Sequence, residues 1–137
     1  KAENLERTKT ICPYCGVGCG IHLLTEDGKL MGTEPDFDAP SRGSLCVKGQ
    51  FASWEFVKSD ERLKYPLIRE NDAFRRASWD EALDLVASRL SGIRDETGPD
   101  SIVCWSSART VTEANYLMQK FTRIGIGTNN IDNCSRT

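Results

Sequence analysis

Four cysteines in this chain fall in a pattern that suits metal chemistry. Two residues separate Cys12 from Cys15, three separate Cys15 from Cys19, and 26 separate Cys19 from Cys46. A cubane iron–sulfur cluster needs four thiolates at the corners of a tetrahedron, and a tight loop can supply three while a distant one closes the fourth. In the stretch ICPYCGVGCG, Gly16, Gly18 and Gly20 are expected to let the backbone turn through positive φ and to bring N–H donors close to sulfur. Pro13 and Tyr14 are expected to stiffen and shield that loop. Structural zinc, the rival, also takes four thiolates, but usually from two separate two-residue knuckles. Disulfides are the poorer reading of the six cysteines, because three so close in sequence cannot staple distant parts of a fold.

Lys48 follows Cys46 by two residues. A cation there would raise the reduction potential by stabilising added negative charge, and could bridge to an anionic cofactor; a solvated surface lysine is the plain alternative. Cys104, inside the apolar run SIVCW, reads as a small buried hydrophobe. Cys134 sits in the polar NCSRT, where a ligand role is conceivable, and His22 reads as an exposed or satisfied strand residue. With a single histidine, no catalytic triad can be built.

These residues need elements to hold them. Gly20 to Glu26 has strand character, Asp27-Gly28 is a two-residue hairpin signal, and Lys29 to Thr33 can return antiparallel. The loop PDFDAPSRGS then delivers Cys46, and Phe51, Trp54, Phe56 and Val57 suggest a short helical turn. Pro66 to Arg69 reads as a strand and ENDAF as a turn. Ser78 with Glu81 is a capping box opening a helix, in which Ala82, Leu83, Val86, Leu90 and Ile93 make an apolar face that should pack on something. Gly98-Pro99 stops it. Ser101 to Trp105 suits a buried parallel strand. Thr112 and Glu113 start a second helix carrying Ala114, Leu117, Met118, Phe121 and Ile124, which Gly125 and Gly127 end before an NNID turn. Helix, strand, helix is the rhythm of a layered α/β domain.

Composition bounds the partners. At 137 residues, 39% apolar and 28% charged, the chain reads as one ordinary globular domain with a modest core. A net charge of −2 without a basic stripe excludes a general affinity for nucleic acid, and no apolar run approaches the length of a membrane span. The first ten residues lack a signal-peptide core, so the cytoplasm is favoured, with the periplasm after leader removal as the alternative.

The run CPYCGVGC with a distant GSLCVKG, then PLIR, SWDEAL, a Gly-Pro-Asp before a strand, and IGTNNIDNCSRT resembles the N-terminal part of molybdenum or tungsten formate dehydrogenase catalytic subunits. The resemblance covers nearly the whole chain. It implies a small β-rich [4Fe-4S] domain at 1–64, an overall α+β or α/β class, and the start of an α/β molybdopterin-binding domain at 65–137. It implies that Cys12, Cys15, Cys19 and Cys46 bind the cluster and that Lys48 lies between cluster and pterin. The full-length cofactor would be bis-molybdopterin guanine dinucleotide with Mo or W, the substrate formate, and the partners iron–sulfur electron-transfer subunits. Arg109 and Arg136 are candidates for the pterin phosphates, each equally readable as a surface arginine.

Within the family, the segment similar to NNIDNCSRT is followed at once by a cysteine or selenocysteine that ligates the metal, and then by a histidine. The sequence ends at Thr137, one position short, so an in-frame UGA codon is expected there, and the fragment alone is expected to be inactive. A nitrate reductase-like oxidoreductase shares the cysteine spacing and is the nearer alternative. A free-standing electron-transfer or zinc-binding module is the more distant one.

Overall fold

Asp27 and Gly28 both have positive φ, 48° and 72°, which is the conformation a tight two-residue hairpin demands. They join β2 (Gly20–Glu26) to β3 (Lys29–Pro35) as the sequence predicts, and β3 runs two residues further than expected. An additional strand, β1 (Glu6–Ile11), pairs antiparallel with β2 from Glu6 opposite Thr25 to Ile11 opposite Gly20. The computed structural model describes residues 4–52 and 54–134. By its internal contacts the chain divides into two units, Lys1–Arg62 with Ser107–Asn115, and Leu63–Ser106 with Tyr116–Thr137.

The first unit is built on the β1-β2-β3 meander. Ile21, 1% exposed, is its anchor, and the β1 side chains are all exposed. The loop after β3 folds back on the sheet: the Asp36 amide donates to Gly20 O at 3.1 Å, and the Gly43 amide to Asp36 O at 3.2 Å. The expected helical turn after Cys46 is two pieces, a π turn at Lys48–Ala52 and a 3-10 turn at Phe56–Lys58.

In the second unit, β4 (Leu67–Glu70) and β5 (Ala73–Arg76) form a hairpin whose turn residues Asn71 and Asp72 have φ of 47° and 63°. The sequence predicts the turn but not β5, whose residues AFRR are all exposed and carry no apolar alternation. Helix α1 (Trp79–Thr97) starts as expected: Ser78 Oγ accepts from the Glu81 amide at 3.1 Å. Gly98, with φ of 86°, closes it by donating to Arg94 O.

The apolar face of α1 departs from expectation. No residue of the helix is buried, and Leu83, Val86 and Ile93 are exposed. Among the described residues, the turns at Pro99–Ser101 and Phe121–Ile126 are the elements that pack on it most. Strand β6 (Cys104–Ser106) is parallel, as predicted, but half open: Trp105 is 80% exposed and Cys104 is half-buried. Its partner is β7 (Ile131–Asn133), so the predicted NNID turn ends in a strand.

Helix α2 (Thr112–Lys120) continues into a π turn, Phe121–Ile126, that ends on Gly127 with φ of 92°. Buried Thr122 accepts on its carbonyl from the amides of Gly127 and Thr128. Thr128 Oγ1 donates to Asp100 Oδ1 at 2.5 Å and Asn130 Nδ2 to Asp100 O at 2.8 Å, tying the GTNN run to the turn before β6. Among the described residues, no helix is long and apolar enough to cross a membrane.

Candidate metal centre

Cys12 and Cys19 stand at the two ends of one loop. The Cys12 amide donates to Cys19 O at 2.9 Å, the link that follows the last β1–β2 pair and closes the chain between them into a turn. Gly18, φ 72°, supplies the left-handed residue that turn requires. Gly16 and Gly20 do not adopt positive φ, contrary to expectation, and serve other ends. The Gly16 amide donates to Ala108 O at 3.1 Å and its carbonyl accepts from Thr112 Oγ1 at 3.2 Å, which clasps the loop to residues 107–115. Gly20 leaves room for Ala39, with which any β-carbon at position 20 would collide.

Cys12 is buried, Cys15 and Cys19 are half-buried, Cys46 is exposed, and none of the four is in a disulfide. The four thiols share one electrostatic neighbourhood. Burial pushes the Cys19 thiol up first, and the nearby Cys12, Cys15 and Cys46 push it further. Cys46 moves the other way: the amides of Gly49 and Lys48 point at its sulfur and, with the Lys48 charge, hold the thiol below its ordinary value despite some desolvation. Anion repulsion among thiolates is what a bound cationic metal reverses.

A cradle is visible as well. A β-carbon at Gly49 would stand 3.2 Å from Cys12 Sγ, so glycine there keeps space beside the buried sulfur. Among the described residues, no three His, Cys, Asp or Glu side chains converge closely enough to share a single metal ion. Four thiolates suit either zinc or a cubane, and the cubane gives each thiolate its own iron. The all-thiol donor set, the amides at Cys46 and the space beside Cys12 fit a cluster.

Lys48 begins the π turn, and its ammonium lies 5.9 Å from the Tyr14 ring centroid. Tyr14 is itself held, its hydroxyl donating to Ala52 O at 3.1 Å and its ring meeting Phe56 edge-on at 6.1 Å. Sequence reasoning gave Tyr14 a shielding role and missed this contact with Lys48, as it missed the amides of Lys48 and Gly49. His22 is half-buried, and its Nδ1 lacks a hydrogen-bond partner among the described residues, which corrects the expectation of an exposed or satisfied side chain.

Arg109 is exposed, in a loop stitched by Asn115, whose side chain accepts from the Ser107 amide and donates to Ser107 O. Arg136 lies outside the described residues. Within the second unit, the carboxyl ends of β6 and β7 border an open cleft of about 200 Å³ lined by Trp105, Ser106, Asp132, Asn133 and Cys134. Trp105 and Asn133 went unnoticed in the sequence, although the ends of parallel strands are where such sheets take ligands.

This fold and site belong to a known class. Residues 5–59 match the molybdopterin oxidoreductase Fe4S4 domain, and residues 62–137 match the molybdopterin oxidoreductase family. The chain belongs to the molybdopterin oxidoreductases. A Bacillus subtilis protein provisionally named an oxidoreductase is 50% identical over 98% of this chain. A Staphylococcus aureus protein provisionally named a formate dehydrogenase is 44% identical over 99% of it. The chain spans 14% of the length of each of these relatives. Among solved structures, acetylene hydratase from Pelobacter acetylenicus matches 91% of this chain and 18% of its own, with 26% identity and a TM-score of 0.68.

Proposed function

We propose that this chain is the cluster-bearing part of a formate dehydrogenase catalytic subunit, with Cys12, Cys15, Cys19 and Cys46 holding one [4Fe-4S] cluster. The carrying observation is geometric: the Cys12 amide donates to Cys19 O across the loop, and Gly49, three residues after Cys46, lies against Cys12 Sγ, so the distant cysteine's segment meets the loop of three. The 44% identity to proteins named formate dehydrogenases supports the choice of substrate. Likeness to a protein named a hydratase shows that the fold alone leaves the reaction open.

When bound in the whole enzyme, the Mo or W pterin centre supplies the two-electron oxidation of formate to carbon dioxide. The work of the residues described here is to hold the cluster and to lead electrons outward. The amides of Lys48 and Gly49 stabilise the negative charge on Cys46, and Lys48 adds a fixed cation beside it. Both favour acceptance of an electron. We read residues 1–64 as the cluster domain and 65–137 as the beginning of the pterin-binding domain, with Arg109 and Arg136 offered to pterin phosphates. Iron–sulfur subunits are the proposed outlet for the electrons.

The test is anaerobic purification of the chain and of the whole polypeptide that carries it. About four irons per chain with broad absorption near 400 nm, and formate-dependent dye reduction by the whole polypeptide, are expected. One zinc in a colourless protein rejects the cluster; a cluster without formate oxidation, but with reduction of nitrate, moves the reading to the nitrate reductase-like alternative.

A further inference from the structure

We propose that Tyr14 is the positioning residue for Lys48, its ring holding the lysine ammonium beside the cysteine that completes the ligand set. The proposal rests on the reading of Lys48 as the cation of the electron path. Tyr14 lies between Cys12 and Cys15, and Lys48 two residues beyond Cys46, so a contact between them joins the two halves of the cysteine pattern. The 5.9 Å separation of ammonium and ring centroid is within the roughly 6 Å reach of a cation–π interaction.

The ring is a fixed platform. Its hydroxyl donates to Ala52 O, and Phe56 braces it with a near-perpendicular interplanar angle of 82°. Ala52 ends the π turn that Lys48 begins, so both ends of that turn are tied to the same tyrosine. Lys48 itself is exposed, on a flexible four-carbon stem, and no carboxylate forms an ion pair with it among the described residues. An unheld ammonium would spread over many rotamers; over the ring it is confined near Cys46.

The test uses the cluster-loaded polypeptide with Tyr14→Phe, Tyr14→Leu and Lys48→Ala. Anaerobic crystal structures should show Lys48 over the ring in Tyr14→Phe and displaced or undefined in Tyr14→Leu; an unmoved Lys48 in Tyr14→Leu overturns the proposal. In redox titrations followed by EPR, Lys48→Ala should lower the cluster potential. Tyr14→Leu should reproduce most of that shift, Tyr14→Phe little of it, and Tyr14→Leu added to Lys48→Ala nothing further. An undiminished Tyr14→Leu shift in the Lys48→Ala background means that the ring acts on the cluster directly, and also overturns it. If Tyr14→Leu takes up no iron, Phe56→Leu, which frees the ring edge, replaces it with the same expected direction. Unchanged potential and turnover in Lys48→Ala would instead remove the electron-path role, while the crystal structures still decide what holds the lysine.

Discussion

Gly49 faces the sulfur of Cys12: a β-carbon at position 49 would lie 3.2 Å from Cys12 Sγ and 3.6 Å from Leu45 Cδ2. The first distance is inside the roughly 3.5–4.0 Å of ordinary contact. A free thiol could rotate away, but a sulfur bonded to iron cannot. Gly49→Ala is therefore expected to crowd the loaded site, costing about 1–3 kcal/mol as overpacking does. Iron content and the rate of bleaching near 400 nm in air check it: lower iron and several-fold faster bleaching are expected, and wild-type values for both refute the crowding.

The cysteines should separate cleanly by role. Replacing Cys12, Cys15, Cys19 or Cys46 singly by Ser is expected to abolish or deplete the four-iron signature. Cys104→Ser and Cys134→Ser should leave iron content as in the wild type, since both lie in the unit that does not carry the other four. Iron analysis and EPR of the reduced protein read the result, and iron loss in Cys134→Ser with retention in Cys46→Ser would reassign the fourth ligand.

Much of this was legible because the signals are local. Asp27-Gly28 fixes a hairpin by backbone conformation alone, and Ser78 with Glu81 caps a helix through a hydrogen bond spanning three residues. Strand β1 was illegible: ERTKTI has no apolar alternation, because its side chains are all exposed and only pairing with β2 makes it a strand. The cysteine spacing announced the centre, but not its electrostatic asymmetry. The amides on Cys46 come from where the chain goes after Lys48, and the clasp on Gly16 from residues about ninety positions away, which no local pattern encodes. The open face of α1 was misjudged for a related reason. Amphipathic spacing promises a partner without saying that it lies in this stretch of chain.

Gly20→Ala should destabilise the first unit by packing alone. The added carbon would collide with Ala39 Cβ and come within 3.3 Å of Asp36 Cβ. Both obstacles are β-carbons fixed to the backbone, so no rotamer relieves them. A loss of about 1–3 kcal/mol is expected. A lower urea midpoint with an unchanged slope would register it; a midpoint equal to the wild type would show that the loop after β3 yields freely.

Asp36 should make the same unit sensitive to acid. Burial raises its carboxyl, but the Asp38 amide, the Lys9 ammonium at 3.2 Å and the His22 charge together outweigh it and hold the group below its ordinary value of 3.8. Lys9 also lies 3.9 Å from exposed Asp38, so the ion pair has a second, weaker carboxylate. A carboxylate whose value is lower folded than unfolded contributes stability that is complete above the unfolded value and is lost as pH falls through the folded one. The contribution of Asp36 is therefore intact at pH 6 and is progressively lost as pH falls below about 4. Asp36→Asn keeps the shape and removes the charge. The melting-temperature gap between wild type and Asp36→Asn should be full at pH 6 and close toward pH 3, a difference that cancels whatever the cluster itself loses to acid. A gap that stays constant across that range would mean Asp36 acts through hydrogen bonds that asparagine breaks, and not through its charge.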